Sequence, residues 1–125
     1  DRLLWTGGLD EMRAVYSALD LATSSSRGEG FPNAVAEAMA CETPCVVTDV
    51  GDSGWIVSET GGIVPAGDPP KLARAWQNIL KMPQEERRDL GKAARRRIVA
   101  EFSLSRLVRE SEKNFLSLLP AAPSR

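Results

Sequence analysis

The sequence predicts an α/β fold, a small parallel sheet with flanking helices and a helical C-terminus. Short apolar runs such as Cys45–Thr48 (CVVT) and Gly62–Pro65 (GIVP) are continuous rather than alternating, as in strands buried on both faces. Segments of helical periodicity separate these runs, the order that builds parallel sheets. After Asp68-Pro69-Pro70 the pattern turns wholly helical. With 125 residues, 42% apolar and 26% charged, the chain is globular and has room for one core. Residues 1–119 read as one domain and 120–125 as a tail.

Leu3–Thr6, closed by Gly7-Gly8, reads as a first buried strand. Asp10 stands where a helix cap belongs, before the stripe Met12, Val15, Tyr16 and Leu19. Asp20–Ser26 (DLATSSS) reads as a strand whose small, polar end opens onto a site. Arg27–Asn33 (RGEGFPN), with two glycines and a proline, is a loop. Ala34–Cys41 (AVAEAMAC) is strongly helix-favouring, with Pro32 in its first turn or Asn33 as its cap. Cys45–Thr48 is a central strand, followed by the loop Asp49–Gly54, a short helical piece over Trp55–Ser58, and the strand Gly62–Pro65. Leu72, Ala75, Trp76, Ile79 and Leu80 form a helical stripe that ends before Pro83. Residues 84–101 form a charged helix, and Leu104, Leu107, Val108, Phe115, Leu118 and Leu119 mark a last amphipathic one. Trp5, Trp55 and Trp76 are expected as core anchors, with Trp55 also near enough to the 49–52 loop to line a pocket.

Charge and composition exclude several functions. The net charge of −1 argues against a whole-surface nucleic-acid footprint, so no nucleic-acid partner is expected. Residues 1–70 nevertheless carry three basic and eleven acidic side chains, and residues 71–125 thirteen basic and six acidic. The run Arg95-Arg96-Arg97 reads as a solvated helix face, and the basic back half as a surface for docking or for an anionic membrane. With no histidine, the chain alone builds neither a Ser-His-Asp site nor a zinc-histidine site, and Ser24–Ser26 reads as a strand end. Cys41 and Cys45 read as reduced, buried small hydrophobes, and Asp49 and Asp52 do not form a D-x-D metal site. No apolar run reaches the roughly 20 residues that span a bilayer, so a cytoplasmic location is expected, peripheral at the inner membrane face if the basic half docks there.

The chemistry concentrates at Ser24–Asn33 and the helix carrying Glu37. A glycine-bearing loop that enters a helix N-terminus exposes amides and the positive end of the helix dipole, which suits phosphate or diphosphate. Side chains on a helix lean toward its N-terminus, so Glu37 is expected near the mouth of that site, with Glu29 on its other side. Two carboxylates take hydroxyls of sugar and ribose while the amides take phosphate, a combination that describes a nucleotide-sugar. The spacing alone distinguishes nothing: with ten glutamates in 125 residues, a pair eight apart arises by chance about once. A structural loop with a solvated Glu37 fits it equally.

SSSRGEGFPNAVAEAMACETPCVVTDVGDSGWIV, then TGGIVPAGDPPKLARAW, closely resembles the donor-binding half of the group 1 (family four) retaining glycosyltransferases. The resemblance extends upstream to Gly7, Tyr16 and Asp20 and downstream to EFSLSRLV. It implies a partial Rossmann-like parallel sheet, the C-terminal half of a GT-B donor domain. It implies that Glu29, first of an E-x7-E pair, is the catalytic-site carboxylate facing the donor sugar and that Glu37 binds ribose. Gly30, Phe31, Pro32 and Asn33 become the loop that approaches sugar and diphosphate. The implied donor is UDP- or GDP-linked, with no cofactor and metal-independent transfer to a hydroxyl acceptor.

The departures are informative. Glu42 stands where the family usually has glycine, at a helix C-terminus that favours a left-handed residue, and Cys45 replaces a hydrophobic residue. The family's two front strands, its glycine-rich turn and cationic pair, and its N-terminal acceptor domain have no counterpart here. A non-catalytic nucleotide- or partner-binding domain is therefore the alternative, while an unrelated dinucleotide binder lacks its G-x-G-x-x-G. A first strand at Leu3–Thr6 would be central in a doubly wound sheet, and without neighbours it leaves Leu21–Ser25 an open edge prone to self-association.

Overall fold

Cys45–Thr48 forms the middle strand of a three-stranded parallel sheet in the computed structural model, which describes residues 3–119. In chain order the elements are α1 (Met12–Ala18), β1 (Ala22–Ser24), α2 (Asn33–Ala40), β2 (Cys45–Thr48), α3 (Ser53–Val57), a 3-10 turn (Ser58–Thr60), β3 (Gly62–Val64), α4 (Pro69–Leu80), α5 (Gln84–Glu101) and α6 (Leu104–Ser117). The strand order is β1-β2-β3, with Ala22 opposite Cys45 and Val46 opposite Gly62.

All four residues of β2 are buried, which explains why the run is uniformly apolar or small. Cys45 and Val47 face a core of Tyr16, Val35, Ala38, Met39, Ile56, Val57 and Ala94, supplied by α1, α2, α3 and α5. Val46 points the other way, where Gly62 leaves room between it and Ala75 of α4. Trp76 donates its indole N–H to Thr23 Oγ1 at 3.1 Å and so seats α4 on the β1 side of the sheet. Asp68 caps α4 by accepting the Lys71 amide at 3.0 Å, and that bond holds its carboxyl below the usual range. Burial pushes the Cys45 thiol up to about 12, so it behaves as a small hydrophobe, whereas Cys41 is only half-buried.

The element order matches the sequence-based expectation with four corrections. Residues 3–6 form no strand, and Leu3, Leu4 and Trp5 are exposed, Trp5 at 86%. An apolar tetrapeptide needs a paired neighbour to become a strand, and among the described residues β1 pairs only with β2. The open edge expected at Leu21–Ser25 is present, since β1 ends the sheet. Trp55, expected in the core, is 59% exposed beside the 49–52 loop, while Trp76 is half-buried. Pro32 and Glu11 occupy the cap positions of α2 and α1, shifting Asn33 into the helix and leaving Asp10 outside it. Finally, the arginine run is not a uniform solvated face. Arg95 donates to the Ala40 carbonyl, and Arg97 donates through Nε to Ile56 O at 2.9 Å and through Nη2 to Trp55 O at 2.5 Å. Two of the three arginines thus cap helix C-termini. The tail 120–125 lies outside the described residues.

Glu42 has φ +63°, the left-handed conformation expected just past α2. Its carbonyl lies against Gly91 of α5, where a Cβ would collide with it. Glu42 is therefore locked in a costly backbone state, and its exposed 3.9 Å ion pair with Arg95 contributes little. Glu42→Gly is expected to raise unfolding stability by up to about 1 kcal/mol in chemical denaturation. A loss of stability would show that the side chain contributes more than the backbone conformation costs.

Candidate functional site

The loops leaving the C-terminal ends of β1 and β2 meet over the N-terminus of α2. Thr48 Oγ1 donates to Ser26 O at 2.6 Å and ties the start of the 25–32 loop to the end of β2. Farther along, the Asp52 amide donates to Gly30 O at 3.0 Å. Gly51 has φ +52°, and a Cβ there would collide with the Glu29 carbonyl oxygen. Only glycine satisfies both constraints, so the D-V-G-D loop is a backbone brace for the Glu29–Gly30 segment.

Pro32, buried with φ −76°, delivers the chain into α2, and no side chain caps the helix. The Pro32 carbonyl accepts the amides of Val35 and Ala36 at 3.0 and 3.3 Å. The preceding amides of Asn33 and Ala34 lie before the first intrahelical donor, at the positive end of the helix. Glu29, exposed, accepts from Ser26 Oγ at 2.6 Å. Glu37, one turn into α2, accepts from the Tyr16 hydroxyl at 3.2 Å. Burial, followed by the charge of Glu37, raises the Tyr16 phenol above its ordinary pKa.

The two glutamates flank the same helix but line adjoining clefts. Glu29 borders a cleft of about 290 Å³ with Phe31, Pro32, Asn33 and β1, and Glu37 borders one of about 800 Å³ against α1. Tyr16 forms part of both walls. Of the residues singled out from sequence, Glu29, Gly30, Phe31, Pro32 and Asn33 lie on one continuous stretch at the head of α2, and Glu37 lies one turn below it. The sequence alone does not single out Gly51, Thr48 and Tyr16 as site supports. The D-V-G-D glycine was the available signal, whereas the Tyr16–Glu37 bond joins residues 21 apart through tertiary packing.

The geometry converges with comparison to known proteins. The family model "Glycosyl transferases group 1" matches residues 1–82. The chain belongs to the group 1 glycosyltransferases. It is 30% identical over 121 residues to N-acetyl-alpha-D-glucosaminyl L-malate synthase of Bacillus anthracis, covering 95% of this chain and 32% of that protein. It is 34% identical over 108 residues to the lipopolysaccharide core biosynthesis mannosyltransferase LpcC of Rhizobium leguminosarum bv. viciae, covering 85% of this chain and 30% of that protein. Among solved structures it matches sucrose-phosphate synthase from Thermosynechococcus elongatus with a TM-score of 0.74 and 35% identity, over 83% of this chain and 26% of that one. The chain thus spans about a third of the length of the curated relatives it first matches. The parallel sheet with flanking helices is that of a GT-B Rossmann-like domain.

Because Gly51 presses on the Glu29–Gly30 backbone, Gly51→Ala is expected to lower stability by more than about 1 kcal/mol. It should also speed tryptic cleavage after the exposed Arg27. Unchanged cleavage would show that the loop is held without this contact.

Proposed function

We propose that this chain is the donor-binding part of a retaining glycosyltransferase that moves a sugar from a UDP- or GDP-linked donor to a hydroxyl acceptor. One observation carries the proposal: a loop leaving a parallel strand enters an uncapped helix N-terminus, with Glu29 beside the amides and Glu37 one turn below. Gly28 and Gly30 support it. Neither has a positive φ, and a Cβ at either would meet no atom within 4 Å, so the chain's own packing does not demand glycine there. Glycine at such positions lets a ligand approach the backbone closely.

In this reading the amides at the head of α2 take diphosphate charge, with further cations from the rest of the protein and no resident metal. Glu37 accepts ribose hydroxyls, and Glu29 is the catalytic-site carboxylate facing the donor sugar. The group 1 membership supports these roles, and no residue of the described site is arranged as a histidine-activated nucleophile. The acceptor is met by the remainder of the longer protein. The open edge of β1 takes a strand from that remainder, and in the isolated chain it is free to pair with a second copy.

The experiment is calorimetric titration of UDP, GDP and their sugar conjugates into the full-length protein. Glu37→Gln is expected to weaken nucleotide and nucleotide-sugar alike by about 1–3 kcal/mol, the range for a charge-assisted hydrogen bond. Glu29→Gln is expected to spare the free nucleotide. Equal losses of free-nucleotide affinity in both variants would overturn the division of roles, and absence of any nucleotide binding would overturn the reading.

A further inference from the structure

The loop bearing Glu29 is held at two successive residues by two different elements. Gly30 is held through its carbonyl by the amide of Asp52, the residue at the N-cap position of α3. Phe31 is held through its ring by Phe102, the residue that ends α5, with centroids 5.7 Å apart and planes inclined by 58°. The same Phe102 ring meets Trp55 of α3 edge-on at 4.7 Å and 74°. Both geometries are favoured for aromatic pairs.

Arg97 closes the circuit. Its guanidinium takes the Ile56 and Trp55 carbonyls near the end of α3 and lies 5.7 Å from the Phe102 centroid. A five-residue helix is not stable by itself, so α3 needs external partners at both ends. Its start grips Gly30, and its end is gripped by Arg97. The fork of an arginine fixes two carbonyls at once, which a lysine point charge does not.

We propose that Arg97 and Phe102 are positioning residues that set the Glu29–Asn33 loop through the closed ring of contacts Gly30–Asp52–α3–Arg97–Phe102–Phe31. The brace leaves Phe31 41% exposed, so its open side stays available to the site. In the proposed enzyme, which this consequence rests on, the brace holds the loop amides and Glu29 in register with the donor sugar. Ribose contacts at Glu37 lie outside it.

Hydrogen exchange on the full-length protein tests the brace without any ligand. In Phe102→Leu and in Arg97→Met, the Asp52 amide that donates to Gly30 is expected to exchange at least about tenfold faster, while the amides of β2 keep their protection. Phe102→Tyr, which retains the ring, is expected to restore slow exchange. Adding Phe31→Ala to Phe102→Leu should add little beyond Phe102→Leu alone, because the Phe31 ring contact is already lost. Unchanged Asp52 exchange, or acceleration matched in β2, would overturn the proposal. A second readout separates this result from the functional reading: nucleotide-sugar turnover is expected to fall about tenfold in Phe102→Leu, with a smaller loss of free-nucleotide affinity because the Glu37 contact lies outside the brace. Altered exchange without any nucleotide binding would leave the brace standing and remove the function proposed above.

Discussion

The pairing of Cys45–Thr48 on both edges is the constraint from which the rest of the molecule is placed. Val46 and Val47 are fully buried on opposite faces, each contributing on the order of 1.5–3 kcal/mol of side-chain burial. Because β1 and β3 run parallel to it, their C-terminal ends lie at one edge of the sheet. The loops after β1 and β2 therefore converge, and Thr48 bonds directly to Ser26. Open α/β sheets bind ligands outside the carboxyl ends of their strands, and the head of α2 stands there.

The site has little architecture of its own. Its loop contributes two glycines and a buried proline, and its rigidity is imported from α3, α5 and the D-V-G-D turn. That division suits the anion-binding role proposed for the loop. Groups free to receive a ligand are not available to hold the loop, so neighbouring elements hold it by carbonyls and rings instead. Arg97 illustrates the cost of reading charge without tertiary context. On sequence it belongs to a solvated triplet, yet it spends its donors on the carbonyls of α3.

What was legible in the sequence is what depends on local pattern and burial. Composition and periodicity delimit Cys45–Thr48 and Gln84–Glu101, and the left-handed state of Glu42 is legible through the glycine that the resembled family places there. The stretch from Glu29 to Asn33 was legible as a loop entering a helix. What was not legible depends on partners far along the chain. Leu3–Thr6 has strand-like composition but no neighbouring strand to pair with, and Trp55 has core-like chemistry but sits at the rim of the site. The Phe31–Phe102 contact joins loop and helix end across 71 positions, a separation that no local window senses.

The central claim is that the head of α2 receives the diphosphate of a nucleotide-sugar. A crystal structure of the full-length protein with UDP-sugar or GDP-sugar bound tests it directly. The account predicts diphosphate oxygens within hydrogen-bonding distance of the Asn33 and Ala34 amides, with ribose at Glu37 and the sugar facing Glu29. A nucleotide seated away from residues 28–37 would contradict it.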